Sequence, residues 1–319
     1  MAHPKIFIDG EAGTTGLQVR SRLSARNDIV LSLLHDKRRD IDARRKMLNE
    51  ADLVILCLPD AQAIEAVGMI ENPHTKIIDA STAHRTHPDW VYGFVEYDPN
   101  HAAAIVKAKR VSNPGCYALT SVALLHPLIS KGLLPADFPV SLAAVSGYSG
   151  GGKQMIEAFE QGDESYHLYG LSLNHKHLPE ITKWAGLTRP PIFVPSVAPF
   201  IQGMAVQLPV PLSALKITFD QLYDCYQQHY ANADQVKIEA PSTSASITRL
   251  KPQAMANQDG LTIHLFQSPD RENALAVGVL DNLGKGASGQ AVQNMELMLG
   301  LEMELKPANA SAIKPQGNQ

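Results

Sequence analysis

The sequence predicts an α/β chain of two domains, the first built on a parallel sheet and the second, α+β in character, on a mixed sheet. Three observations predict it. The 319 residues exceed what one ordinary core holds. From the N-terminus, short apolar runs alternate with helical patterns, as in a sheet covered on both faces. After about residue 140 the helices thin out and β-branched, proline-punctuated runs take over.

Composition narrows the function classes. Hydrophobic residues make up 45% and charged residues 19%, the balance of a soluble globular protein. A net charge of -4 leaves no electrostatic footprint for nucleic acid or an anionic membrane. No window approaches the length of a membrane span, and Met1-Ala2-His3-Pro4-Lys5 enters a strand-like run without a leader. Cys57, Cys116 and Cys225 form no C-x-x-C pair, which argues against a disulfide framework or structural zinc and predicts a reducing cytoplasm. No repeat period is present.

The first strand is expected at residues 5–8. Asp9-Gly10-Glu11-Ala12-Gly13-Thr14-Thr15-Gly16-Leu17 follows, then a helical pattern to Leu23. Strand, glycine loop and helix open a dinucleotide-binding unit, in which backbone amides close on a pyrophosphate at the helix N-terminus. Gly10, Gly13, Thr14, Thr15, Gly16 and Leu17 are therefore cofactor candidates. The strand expected at 29–34 delivers His35-Asp36-Lys37-Arg38-Arg39, whose cations, Lys37 and Arg38 among them, predict NADP rather than NAD.

Residues 52–58 read as a buried parallel strand containing Cys57 as core, followed by a helix over 61–70 and a strand over 76–79. Loops beyond the carboxyl ends of parallel strands bind ligands, so Ser81 is a cofactor candidate and Arg85 an anion candidate. Ser112-Asn113-Pro114-Gly115-Cys116-Tyr117 ends this half: strand, tight turn, then a cysteine on the first turn of a helix over 117–130. Free N–H groups and the helix dipole favour a thiolate there, and a thiolate is the nucleophile. The alternative is a buried cysteine acting as a small hydrophobe.

In the second half, a strand at 140–146 leads into Gly147-Tyr148-Ser149-Gly150-Gly151-Gly152-Lys153. This loop lacks Walker spacing but suits a phosphate or carboxylate through Ser149 and Lys153. Asn174-His175-Lys176-His177-Leu178-Pro179-Glu180 places two imidazoles beside a glutamate. With no third ligand cluster evident, no metal is expected, and an acid/base partnership with Cys116 is the better reading. Antiparallel strands are expected within 193–208, 236–239, 260–267 and 273–279, with a helix over 219–231 in which Cys225 packs. Asp281-Asn282-Leu283-Gly284-Lys285-Gly286-Ala287-Ser288-Gly289-Gln290 turns into an apolar helix running to 303, expected to pack back on the first domain. Residues 306–319 read as a mobile tail.

The glycine loop at 9–18, the Ser112 to Tyr117 run, the His-x-His-x-x-Glu run and the Asp281 to Asn294 stretch, in that order, resemble N-acetyl-gamma-glutamyl-phosphate reductase in its short form, of the aspartate-semialdehyde dehydrogenase-like superfamily. The similarity spans about 5–305. One departure is that Ala118-Leu119 stand where Pro-Thr is expected after Gly-Cys-Tyr. The resemblance implies a Rossmann-type NADP-binding domain of residues 1–116 with 287–305, and a catalytic and dimerisation domain of 117–286. It implies NADPH-dependent reduction of N-acetyl-glutamyl 5-phosphate to the semialdehyde through a Cys116 thioester, in arginine biosynthesis. The acid/base is His177, with His175 in reserve. Arg85, Asn113, Ser149, Lys153 and Glu180 are the substrate candidates, while Asn282, Gly286 and Gln290 close the site on the cofactor side. The partners implied are a small acyl phosphate and a second copy of the chain in a dimer or tetramer. Aspartate-semialdehyde dehydrogenase, or a non-catalytic NADPH-binding regulator, are the alternatives.

Overall fold

The computed structural model describes residues 3–34 and 40–302. The His35 to Arg39 loop, with the cofactor candidates Lys37 and Arg38, and the 306–319 tail lie outside the described residues. Strands β1 (Lys5–Asp9), β2 (Val30–Ser32), β3 (Leu53–Leu56), β4 (Lys76–Asp79), β5 (Val91–Tyr92) and β6 (Arg110–Ser112) form one parallel sheet. Its order is β2-β1-β3-β4-β6-β5. All four residues of β3 are buried, which accounts for its unbroken apolar sequence. Connecting helices are α1 (Thr14–Leu23), α2 (Ile41–Glu50), α3 (Asp60–Met69) and α4 (His101–Lys107). Chain direction around the sheet switches between β1 and β3, and the crevice beyond their carboxyl ends is the ligand position of such folds.

Helix α5 (Cys116–Ser130) leads into the second sheet. Eleven of its residues are buried, so it is a core helix with no amphipathic stripe. Pro127 inside it has no N–H to offer the Ala123 carbonyl; the Tyr230 hydroxyl donates there at 2.9 Å, and the Tyr226 hydroxyl donates to Leu124 O at 2.6 Å. The second sheet comprises β7 (Ser141–Gly147), β8 (His167–Leu168), β9 (Ile192–Ala198), β10 (Met204–Pro211), β11 (Val236–Ile238), β12 (Leu261–Gln267) and β13 (Asn273–Leu280). Its order is β11-β12-β13-β10-β7-β9-β8. Around it lie α6 (Lys153–Glu160), α7 (Leu178–Ala185), α8 (Leu212–Leu215), α9 (Phe219–His229) and α10 (Pro241–Ser246).

Two strands expected to be antiparallel are not. β9 runs parallel to β7, and β11 parallel to β12. A long crossover through α6 and α7 brings the chain back in the same direction, a return that local hydrophobic pattern does not encode.

The last helix, α11 (Gly289–Leu299), packs back as expected: Ala291, Met295 and Met298 share a core with Ile6, Ile8, Leu53 and Ile78 of the parallel sheet and with Val19 of α1. It stops at Leu299 because Gly300 caps it in the left-handed conformation at φ 66°. A π-helical turn, Gly284–Ser288, precedes it. Within that turn Lys285 is fully buried and donates to Glu96 Oε2 at 2.6 Å, Gln293 Oε1 at 2.8 Å and Gln235 Oε1 at 3.0 Å. Its three N–H bonds fasten the turn to both halves of the molecule. Among the described residues, no helix is long and apolar enough to cross a membrane.

Candidate active site

β6 ends at Ser112 and α5 begins at Cys116, so the Asn-Pro-Gly turn sets the cysteine on the first helical residue, with Gly115 at the N-cap. Two glycines make room for what packs there. A Cβ on Gly115 would lie 2.3 Å from His177 Nε2 and 2.5 Å from Arg85 Nη1; one on Gly286 would lie 2.8 Å from the Cβ of Cys116. An imidazole nitrogen thus sits against the residue before the cysteine, and the π turn lies over the cysteine itself. Cys116 is partly buried and faces a cavity of about 440 Å³, which continues past His175, His177 and Ser149 and reaches Gly13, Thr14 and Thr15.

Burial pushes the Cys116 thiol up, against the Tyr117 N–H and the positive charges of Arg85 and Lys176, which act to lower it. The expected preformed thiolate is therefore opposed by desolvation of the charge. Burial also lowers both imidazoles: His175 to about 4, and His177, with Arg85 beside it, well below the usual range. The resting pair is a neutral thiol and a neutral imidazole, poised for transfer of a proton as the sulfur attacks. His175 Nδ1 accepts the His177 backbone N–H at 3.2 Å, and His177 Nδ1 has no hydrogen-bond partner among the described residues.

Glu180, near the start of α7, is the organiser. Its Oε1 accepts the Gly115 N–H at 2.9 Å and the Tyr92 hydroxyl at 2.9 Å, while Oε2 accepts Arg85 Nη1 at 3.1 Å. Arg85 also donates Nε to Asn113 O and Nη2 to Ala80 O, both at 3.0 Å, which leaves two of its five N–H groups uncommitted among the described residues. Burial raises the Glu180 carboxyl, and Arg85, Gly115 and Tyr92 act against that rise. Since the Gly115 N–H is taken, a developing oxyanion must use the later first-turn N–H groups of α5, which have no partner within the helix.

Among the sequence candidates, the structure brings Cys116, His175, His177, Arg85, Asn113, Ser149, Asn282, Gly286, Gly13, Thr14 and Thr15 to one cavity. Asn113 Nδ2 donates to Ala287 O at 3.0 Å, tying the cysteine turn to the π turn. Asn282 holds Ser149 Oγ at 2.9 Å and the Gly203 N–H at 2.8 Å, so its amide braces the wall. Glu180 touches neither imidazole by hydrogen bond and is not on the wall.

Other candidates lie elsewhere. The Lys153 ammonium is in solvent, 3.7 Å from Glu157, because α6 begins there and turns it outward. The Ser81 hydroxyl is bound to Asp79 Oδ2 at 2.7 Å, closing a turn. Gln290 is buried beside Gln293 at 3.0 Å, and Leu17 is exposed on α1. Gly10 and Gly16 stand behind the loop: a Cβ would meet Cys57 O at 2.3 Å or Gly10 O at 2.2 Å. Cys57, expected in the core, lines the cavity at the end of β3, with its thiol pushed up to about 12 by burial. Lys176 was missed. It is exposed on the cavity wall between the two histidines, the one lysine among the residues lining it.

The residues fit NADP at the far end of this cavity. Gly13 caps α1 without a side-chain bond, so the first N–H groups of that helix are open to a phosphate, and the glycines let the loop lie against β3.

Comparison with known proteins agrees with this geometry. Residues 10–105 match the family model described as semialdehyde dehydrogenase, NAD binding domain, and residues 116–282 the one described as semialdehyde dehydrogenase, dimerisation domain. The N-acetyl-gamma-glutamyl-phosphate reductase of Burkholderia lata is 49% identical over 307 residues, 94% of this chain and 98% of that one. That of Brucella anthropi is 49% identical, covering 93% and 99%. Aspartate semialdehyde dehydrogenase II of Vibrio cholerae, solved in complex with ASA, superposes with a TM-score of 0.67 at 13% identity, covering 94% and 99%. The last likeness is one of fold alone.

Proposed function

The chain belongs to the N-acetyl-gamma-glutamyl-phosphate reductase family, and from that premise we propose how its residues carry the family's reaction. The reaction is NADPH-dependent reduction of N-acetyl-L-glutamyl 5-phosphate to N-acetyl-L-glutamate 5-semialdehyde and phosphate, a step of arginine biosynthesis. The observation that carries this is a single cavity with Cys116 and the His177 side chain at one end and the open N-terminus of α1 at the other.

His177 takes the thiol proton as Cys116 Sγ bonds to the acyl carbon. That proton leaves on the phosphate oxygen when the carbon–oxygen bond breaks, giving a thioester and a neutral imidazole. NADPH, when bound, supplies a hydride to the thioester carbon. First-turn N–H groups of α5 steady the charge on oxygen, and the carbonyl reforms as the carbon–sulfur bond breaks, with the departing sulfur taking a proton that His177 relays from solvent water. Thr14 and Thr15, with Gly13, hold the cofactor phosphates, and Gly286 lets the π turn close over the cysteine. Lys176 and the free N–H groups of Arg85 attract the phosphate and carboxylate, with Ser149 on the same wall.

Residues 1–116 with 287–305 serve as the cofactor unit and 117–286 as the substrate unit. The chain works as a homo-oligomer, dimer or tetramer, in the cytoplasm; the match of 116–282 to a dimerisation domain and three unpaired cysteines support this. The test is phosphate-dependent reduction of NADP by N-acetylglutamate semialdehyde, run for the wild type and Cys116→Ser, with aspartate semialdehyde as the competing substrate. A near-normal rate in the serine variant ends the covalent mechanism.

A further inference from the structure

Among residues that do not line the cavity, Asp98, His126 and His229 bring one ligand atom each to within 4.8 Å of one another. Asp98 comes from the segment before α4, His126 from α5 and His229 from the end of α9. His126 Nε2 is 3.2 Å from Asp98 Oδ1, and the two imidazole centroids are 5.6 Å apart at 77°. None of the three takes part in the reaction derived above.

We infer that this trio is a binding site for a divalent transition metal of the Zn²⁺ class. The ligand set is the borderline imidazole and carboxylate mixture that such ions take, and a water completes a tetrahedron. His229 Nε2 lies 2.9 Å from Tyr97 O. A carbonyl oxygen only accepts, so that nitrogen carries the proton, and Nδ1 is the ring nitrogen left with a lone pair to ligate. Both imidazoles are held in place: His126 stacks on Tyr97 at 4.1 Å, and α9 is pinned to α5 by the Tyr226 and Tyr230 hydroxyls. Tetrahedral Zn–N bonds of about 2.0–2.1 Å need ligand atoms closer than 4.8 Å; Asp98 and His126 already stand at 3.2 Å, and binding draws His229 toward this pair. Occupancy joins the segment after β5 to the helix that starts at the nucleophile.

The test uses full-length Cys116→Ser protein, which removes the active-site thiol as a rival ligand, titrated with Co²⁺ as a spectroscopic probe and then with Zn²⁺. The expected result is one equivalent of Co²⁺ showing strong visible ligand-field bands without a thiolate charge-transfer band, displaced by Zn²⁺. Zn²⁺ should also raise the unfolding midpoint by several degrees, reversibly with chelator. His126→Gln and His229→Gln in that background should each abolish the bands, and Asp98→Asn, on an exposed residue that leaves the fold intact, should weaken affinity at least tenfold. Absence of the bands, or unchanged stoichiometry and affinity in all three variants, overturns the site; bands lost only with His175→Gln would place the metal in the catalytic cavity and overturn it as well.

Discussion

The backbone N–H of Gly115 is bound to Glu180 Oε1 at 2.9 Å, so the residue before the nucleophile is held by a buried carboxylate from the substrate half of the chain. The same carboxylate anchors Arg85 and Tyr92. One side chain therefore fixes the cysteine turn, a cation on the cavity wall and the strand beside them.

Glu180→Gln keeps an acceptor for Gly115 but leaves the buried Arg85 guanidinium without its counter-charge. The expected outcome is a loss of about 3 kcal/mol in stability and a fall in kcat with little change in the KM for NADPH. Urea unfolding and steady-state kinetics check both; an unchanged kcat would remove Glu180 from the positioning role.

For the two histidines, His177→Asn should lower kcat by about 10²–10⁴-fold, the usual reach of general acid/base catalysis. His175→Asn should cost much less, because its Nδ1 only accepts the His177 backbone N–H. Equal losses would exchange or merge the two roles.

Cys116 in the free enzyme should react with iodoacetamide along a pH curve whose midpoint lies above the ordinary thiol value of 9.0, because burial raises it. Lys176→Ala should move that midpoint higher, since the lost positive charge favoured the thiolate. A midpoint below neutrality would mean that the helix dipole and nearby cations outweigh burial.

Stability should fall as pH drops below about 6.5, the ordinary histidine range. His177 and His175 are held neutral in the folded chain but take up protons freely when unfolded, so the stability they contribute is full above the unfolded pKa and is lost on the way down to the folded one. The melting temperature measured from pH 7 to 5 should show a shallower slope in His177→Asn. An identical slope would exclude His177 as a source of that dependence.

Lys285→Met should destabilise by about 3–5 kcal/mol, since the buried Glu96 carboxylate loses its counter-charge and keeps only the Gln293 amide. Adding Glu96→Gln should recover a large part of that loss in chemical unfolding. No recovery would show that the amide partners, Gln235 and Gln293, matter more than the ion pair.

Much of this molecule was legible in its sequence. The glycine loop, the strand at 76–79 and the cysteine turn could be placed because each depends on neighbouring residues: a strand end, a turn and a helix start. Both histidines of the His-x-His pair line the cavity that Cys116 faces. What sequence could not supply was direction and destination. Whether β9 returns parallel depends on a crossover path, and Lys153 turns away because α6 begins with it. Glu180 reads from its motif as a partner of the histidines or of the substrate, yet its hydrogen bonds go to Arg85 and Tyr92, some ninety positions earlier, and to Gly115. Lys176 sits between two histidines, and local pattern does not distinguish a lysine on a cavity wall from one in open solvent.

A ribosome delivers this chain in an order that its architecture does not follow. Ile6, Ile8 and Leu53 emerge early, yet the helix that shields them with Ala291, Met295 and Met298 is translated nearly last. Gly286, which packs against the Cys116 Cβ, arrives with it. Until residues 284–299 are out, the nascent protein carries a sticky, uncovered sheet face and an unfinished pocket, so it stays silent toward its substrate and open to aggregation through most of its own synthesis.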